Sequence, residues 1–234
     1  MKSKTMIAIV AITAVISAML MLSSCSHESG PSADPNALHN RHNDENVEPE
    51  VVDFSNGKHH VLMTVDGYEP VEIELDADAA PITVENFCNL VVKGFYDGLS
   101  FYRFQEGFCI QGGSSNYSAA PDLNDTNKTI KGEFSANGVN NPLADDFKRG
   151  TVAMARSQDP DSAATTFFIT MDSSSMVSMS LNGQYAAFGI INEDGMKVMD
   201  KIMSDFVNKV DDQSMGMISE KENQAIIKSF EIIN

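Results

Sequence analysis

Residues 95–113, Phe-Tyr-Asp-Gly-Leu-Ser-Phe-Tyr-Arg-Phe-Gln-Glu-Gly-Phe-Cys-Ile-Gln-Gly-Gly, constrain the fold more than any other stretch of the 234-residue chain. Two short aromatic or β-branched runs, 101–104 and 108–111, flank a polar Gln105-Glu106-Gly107 turn, the signature of a β-hairpin. Strand alternation predicts Phe101, Arg103 and Gln105 on one face of the first strand, with Tyr102 and Phe104 on the other. An arginine within reach of Phe108 and Gln111 on the returning strand is an odd choice for a purely structural element. The plain alternative is an edge arginine that lays its stem on apolar surface and keeps its charge in water.

Other segments repeat the strand theme. A turn at Asn56-Gly57 opens the domain, and strands follow at about 59–66 and 70–76 with an Asp66-Gly67 hairpin signal between them. In the second, Val71, Ile73 and Leu75 alternate with Glu72, Glu74 and Asp76. Pro81 stands at a helix start, where no N–H is needed. Val84, Phe87, Cys88 and Val91 then recur at helical spacing, and Gly94 ends the run. Strands resume near 151–155 and 166–171, a Ser- and Met-rich connection spans 172–180, and another strand covers about 185–191. Asp194 is the expected cap of a second amphipathic helix through Val198, Met199, Ile202 and Met203, and a last strand covers about 225–233. Seven or eight short strands with two helices argue for an antiparallel β-barrel. A barrel of that size is filled by side chains, so a ligand must bind outside it.

Charge and composition narrow the function. A formal net charge of −17 is unsuited to nucleic acid, which needs a basic patch, and reads most simply as a solvating surface. The 14 methionines read as core gap-fillers rather than a cofactor box. Cys25, Cys88 and Cys109 form no CxxC pair, so no zinc or dithiol motif is present. All five histidines lie at or before residue 60, and without a later one a Ser/His/Asp hydrolase is hard to build from the folded domain. His59 and His60 are adjacent in a strand and so point to opposite faces, which speaks against a shared metal. Gly112-Gly113 lacks the Gly-Lys-Ser/Thr of a phosphate loop. No metal and no cofactor is called for. The long polar loop at 113–142 has no assigned role. Its three N-x-[ST] sequons, at Asn116, Asn124 and Asn127, are read as incidental.

The N-terminus is a targeting segment. Lys2 and Lys4 precede an apolar run from Met6 to Leu22, and Leu22-Ser-Ser-Cys25 resembles the bacterial lipobox, in which cleavage leaves a lipid-modified cysteine. The alternative is an uncleaved anchor, for which the run is at the short limit. Either way the lysines place the domain outside the cytoplasm. Loss of residues 1–24 removes two lysines and no acids, taking the formal charge from −17 to −19. The expected organisation is therefore a signal peptide at 1–24, a lipidated Cys25 with a linker to residue 55, and a folded domain at 56–234. The linker, rich in Ser, Pro, Asn, Asp and Glu, cannot bury enough surface to order itself, and as a coil it spans on the order of 30 Å.

Three ordered blocks carry a family resemblance. The pattern FYDG…FYRF…GFCIQGG, the block from Gly150 to Ile169 (GTVAMARSQDPDSAATTFFI) and Leu181-Asn-Gly-Gln-Tyr-Ala-Ala-Phe-Gly189 together resemble the cyclophilin family of peptidyl-prolyl cis/trans isomerases, in its bacterial form. The resemblance covers roughly residues 57–233. It implies a closed eight-stranded antiparallel β-barrel capped by two α-helices, monomeric, acting on proline-containing polypeptide clients. Arg103 matches the catalytic arginine, and Gln111 the glutamine that orients it and contacts the substrate backbone. Phe108, Cys109, Phe168 and Leu181 match the pocket for the proline ring, and the backbone at Ala155-Arg156 the segment that pairs with the peptide. Tyr185 stands where many relatives carry histidine. By the same resemblance Cys88 lies on a helix and Cys109 lines the groove, so both are expected as free thiols.

The chain also departs from the pattern. Cys109 replaces a more usual methionine, Thr166 stands in the groove segment where glutamine is common, and Tyr102 replaces a familiar histidine. Ser180 occupies the position of the tryptophan of cyclosporin-sensitive members, which implies weak cyclosporin binding. The function so implied is an extracytoplasmic, lipid-anchored prolyl isomerase assisting protein folding. The alternative is a proline-peptide binding module or holdase with little turnover.

Overall fold

The alternation in Val71–Asp76 is built into the structure as one wall of a closed barrel: Val71, Ile73 and Leu75 are buried, while Glu72 and Glu74 face solvent. The computed structural model describes residues 52–114, 129–172 and 174–233. The signal segment, Cys25, the linker through residue 51 and the three sequons lie outside the described residues. Eight strands are present among the described residues: β1 (Lys58–Val65), β2 (Val71–Asp76), β3 (Ser100–Gln105), β4 (Cys109–Gly112), β5 (Thr151–Met154), β6 (Phe167–Thr170), β7 (Ala187–Ile191) and β8 (Ala225–Ile232). They close in the order β1-β2-β7-β5-β6-β4-β3-β8 with antiparallel pairings, so no long sheet edge is left open.

Two longer helices pack on the barrel core. In α1 (Pro81–Val92), Val84, Phe87, Cys88 and Val91 are buried, and Phe87 lies 5.0–5.7 Å from the rings of Phe167, Phe188 and Phe230. Its N-cap Ala80 has no side chain to satisfy the first-turn N–H groups. The buried Glu133, 50 residues away, does so instead, accepting from Ile82 N (3.0 Å), Thr83 N (2.8 Å) and Thr83 Oγ1 (2.6 Å). The second long helix buries Met196, Met199, Ile202, Met203 and Phe206. The 172–180 connection is not all coil, since it contains a short helix of residues Ser175–Leu181. With α2 at Pro142–Asp145, this connection helix is α3 and the second long helix, Glu193–Phe206, is α4. Asn192, not Asp194, caps α4, its side chain accepting from Gly195 N at 2.9 Å. Asp194 sits in the first turn, where a carboxylate meets the positive end of the helix dipole.

The alternation predicted for β3 fails at one residue. Phe101 pairs with Gly112 and Arg103 with Gln111, so Tyr102 is an extra residue in a β-bulge. Phe101 therefore joins Phe104 in the barrel core, not Arg103 and Gln105 on the outer face. On β4 and β6 the alternation is regular. Ile110, Phe167 and Ile169 point inward, whereas Cys109 and Phe168 belong to a separate cluster outside the barrel with Phe134, Phe147 and Leu181. That outer cluster is the floor of the site.

Candidate functional site

The inside of the barrel is packed, and its outer face carries the groove expected from the sequence, a cavity of about 120 Å³. Arg103, Phe108, Cys109, Gln111, Ala155, Arg156, Phe168, Leu181 and Tyr185 line it. These residues come from β3, β4, the exit of β5, β6, the end of α3 and the turn before β7. Thr166 does not line the cavity. It is buried behind the wall, where its carbonyl accepts from Ala155 N (2.9 Å).

Three acceptors fix the Arg103 guanidinium. Nε donates to the Met215 carbonyl at 2.9 Å, Nη1 to Gln111 Oε1 at 3.2 Å, and Nη2 to Gln105 Oε1. The guanidinium carbon lies 5.5 Å from the centre of the Phe108 ring. Two of its five N–H donors have no acceptor among the described residues. Gln111 is buried, and its Nε2 donates to the Tyr102 hydroxyl at 3.2 Å, which fixes the amide oxygen toward the arginine. Tyr102 is itself fully buried, and burial pushes its phenol above the usual range, with the Gln111 amide opposing in part. The bulge at Tyr102 thus serves the site by bringing the tyrosine hydroxyl to the Gln111 amide.

Sequence reasoning missed the segment that holds Arg103 from the side. Residues 211–219 fold back along β3, with Ile218 N donating to Tyr102 O (2.8 Å) and Phe104 N to Gly216 O (2.7 Å). Asp212 Oδ1 accepts from the backbone N–H (3.0 Å) and hydroxyl (2.6 Å) of Ser214. Asp211 likewise accepts from the N–H (2.9 Å) and hydroxyl (2.8 Å) of Ser219. These bonds hold both carboxyls below the ordinary aspartate range, the Ser214 hydroxyl leading for Asp212 and the Ser219 amide for Asp211. Gly216 has φ of +70°, a conformation that glycine adopts without strain. The Asp-x-Ser and Gly spacing is a readable turn signal, but nothing in it points to Arg103.

The floor is aromatic. Phe168 stacks on Phe147 (6.2 Å, 9°) and meets Tyr185 edge-on (5.5 Å, 87°). Cys109 is 1% exposed, and burial pushes its thiol up to about 12. Cys88 on α1 is pushed to about 12 for the same reason, and both cysteines are free. Arg156 lies between two rings, 5.1 Å from Phe134 and 4.8 Å from Tyr185. Among the described residues no group of three His, Cys, Asp or Glu is placed to hold a metal ion. His59 meets the Asn56 carbonyl at 3.0 Å and His60 meets Glu72 at 2.8 Å. The arrangement offers a fixed cation, a buried amide and a small apolar notch.

Comparisons with known proteins agree with that chemistry. A family profile described as "Cyclophilin type peptidyl-prolyl cis-trans isomerase/CLD" matches residues 60–229. Peptidyl-prolyl cis-trans isomerase A of Dickeya dadantii is 38% identical over 147 residues, which are 61% of this chain and 70% of that protein. Peptidyl-prolyl cis-trans isomerase B of Escherichia coli is 40% identical over 129 residues, 53% of this chain and 73% of its own. Two crystal structures of a cyclophilin type peptidyl-prolyl cis-trans isomerase from Cryptosporidium parvum share the fold. One, with a TM-score of 0.58 and 24% identity, covers 76% of this chain and 99% of that chain. The other was determined in the presence of the dipeptide Ala-Pro, with a TM-score of 0.56 and 25% identity over 75% of this chain and 99% of its own. With the barrel, the groove and the profile in agreement over most of the folded region, this chain belongs to the cyclophilin-type peptidyl-prolyl cis-trans isomerase family.

Proposed function

We propose that this chain rotates Xaa-Pro bonds of polypeptides outside the cytoplasm, with Arg103 as its catalytic group, and so assists their folding. The barrier is amide resonance, about 18–20 kcal/mol, which leaves uncatalysed exchange at tens to hundreds of seconds. No bond breaks, so the enzyme needs only to favour the twisted amide over the planar one. In the twist the prolyl nitrogen regains its lone pair and conjugation with the carbonyl is lost. A guanidinium already fixed in place donates to that nitrogen or the adjoining carbonyl without reorganising, and in a partly dry groove its dipole counts for more than in water. The single observation that carries this reading is the triple anchoring of Arg103 beside the notch, with two donors left for substrate.

Gln111 holds the arginine and faces the peptide, while Phe108, Cys109, Phe168, Leu181 and Tyr185 take the proline ring. Backbone at Ala155-Arg156 pairs with the chain beside it. The Ala-Pro dipeptide used with the Cryptosporidium parvum protein supports proline-containing peptides as substrates here. The test is proline isomerisation in a short Xaa-Pro peptide, followed by NMR exchange, comparing wild type with Arg103→Ala. Loss of about 10²–10³ in kcat/KM is expected, the scale of removing one oriented donor. Equal rates in the two would replace the enzyme with a proline-peptide binding module or holdase.

The N-terminal segment supports export and anchoring through a lipid on Cys25, with the linker to residue 55 as tether. Mass spectrometry of the mature N-terminus tests this. A diacyl-modified Cys25 is expected, and an intact Met1 or an unmodified terminus at another residue refutes it.

A further inference from the structure

The groove holds a second cation that the rotation itself does not require. Arg156 is half-buried, its guanidinium sandwiched between Phe134 and Tyr185 at 5.1 and 4.8 Å. Nε donates to Gln184 O at 3.0 Å and Nη1 to Ser157 O at 2.8 Å. Three of its five N–H donors therefore have no protein acceptor among the described residues, and the side chain lines the cavity. Two rings and two carbonyls hold it in one orientation, so little rotamer entropy remains to be lost when it meets an acceptor.

Its electrostatic setting is unusual for so acidic a chain. The net charge is −17, yet neither Arg103 nor Arg156 forms an ion pair with any carboxylate among the described residues. The acids closest in sequence are turned away. Asp159 Oδ1 accepts from Asp161 N (2.9 Å), and Asp161 Oδ1 accepts from Gly132 N (2.9 Å) and Asn137 Nδ2 (2.8 Å). Among the described residues no acidic side chain lines the cavity, and the two charged groups that do are both arginines. Had Arg156 been only a surface solubiliser, a neighbouring carboxylate would be the ordinary partner in this background. Had it been only a packing piece, an uncharged side chain would fill the space between the rings.

We infer that Arg156 is a specificity-determining residue that selects clients carrying an Asp or Glu at one of the two residues that precede the proline. This rests on the isomerase reading above and names its substrate class. A client carboxylate would meet the uncommitted Nη donors in fork geometry, the arrangement guanidinium favours. The charge is partly exposed, so the gain is modest, about fivefold in kcat/KM, and declines with salt.

The test uses the full chain and three tetrapeptide sets with Glu, Gln or Lys at the residue before proline or at the one before that, with rates from NMR exchange. In wild type, Glu peptides at one of the two positions are expected to exceed Gln by about fivefold and Lys by more, the advantage shrinking at about 0.5 M salt. In Arg156→Met, which keeps an unbranched apolar stem between the rings, the Glu-to-Gln ratio falls to about one. In Arg156→Lys it is restored at least in part. A wild-type ratio near one at both positions, or an unchanged ratio in Arg156→Met, overturns the inference while leaving the isomerase reading intact. If Gln peptides are not turned over and Arg103→Ala matches wild type, the isomerase reading fails and this one with it.

Discussion

Replacing Gly216 by alanine isolates what the 211–219 segment does for Arg103. An added Cβ would lie 2.9 Å from the Phe104 carbonyl oxygen and 3.2 Å from Gln105 Cβ. Phe104 is fixed in β3 by pairing with Ile110, so the barrel cannot retreat and the segment must move by a few tenths of an ångström. The φ of +70° adds about 1–2 kcal/mol of strain for an L-residue. Movement at 216 carries Met215 with it and stretches the 2.9 Å bond from Arg103 Nε. A hydrogen bond to a charged group contributes about 1.5–3 kcal/mol, and solvent at this edge takes roughly half of that. About 1–1.5 kcal/mol of lost orientation, falling on the transition state alone, is about a tenfold loss of kcat/KM. Gly57→Ala is the control, because Gly57 has φ of +73° but nothing within 4 Å of an added Cβ. Both variants should melt a few degrees lower, at roughly 2–4 °C per kcal/mol for a domain of this size. Only Gly216→Ala should lose kcat, with KM nearly unchanged, in NMR exchange on an Xaa-Pro peptide. Wild-type kcat in Gly216→Ala with the same melting shift as Gly57→Ala would refute the claim that the Met215 carbonyl orients the arginine.

Four further outcomes follow from the same geometry. Glu133→Ala should destabilise the domain by about 2–3 kcal/mol in chemical denaturation, because it leaves the buried Thr83 donors and the start of α1 without an acceptor; a loss under about 0.5 kcal/mol would contradict that. For Asp211 and Asp212 the folded-state pKa is depressed, so the stability they lend is present above their unfolded value and is lost as pH falls through the lower folded one. The groove and kcat/KM should therefore hold from neutrality down to about pH 4 and decline below it, and a midpoint near pH 6 would point to another group. Cys88 and Cys109, both pushed up to about 12 by burial, should resist iodoacetamide at pH 8 in the native chain and react in denaturant; native-state modification of Cys109 would show the notch to be open. Ser180 is exposed, its hydroxyl turned back to the Val177 carbonyl, so cyclosporin should inhibit weakly, and submicromolar inhibition would refute this.

The residues of the groove were legible because two independent periodicities converge on them. The Phe167-Phe168 pair reads as a strand, and alternation sends one ring into the barrel and the other to the floor of the site. Arg103 and Gln111 sit on paired strands of one hairpin, so their meeting follows from the turn between them. Two expectations failed where local pattern lost to packing. The bulge at Tyr102 broke the alternation of β3, and Asn192 rather than Asp194 caps α4. A one-residue irregularity leaves no mark in hydrophobicity, since Phe101 and Tyr102 are equally apolar choices for either face.

The amino-acid order by itself determined the β3–β4 hairpin, the start of α1 at Pro81 and the company Arg103 keeps across β3 and β4, since each rests on contacts between near neighbours or on a repeat of two or 3.6 residues. Only the tertiary structure decided that Met215, 112 residues further along, closes the third side of that arginine. It likewise brought Glu133 to the start of α1 and set Arg156 between Phe134 and Tyr185. Those contacts arise when the closed sheet draws remote loops against one face, and no local spacing in the chain encodes which loop arrives there.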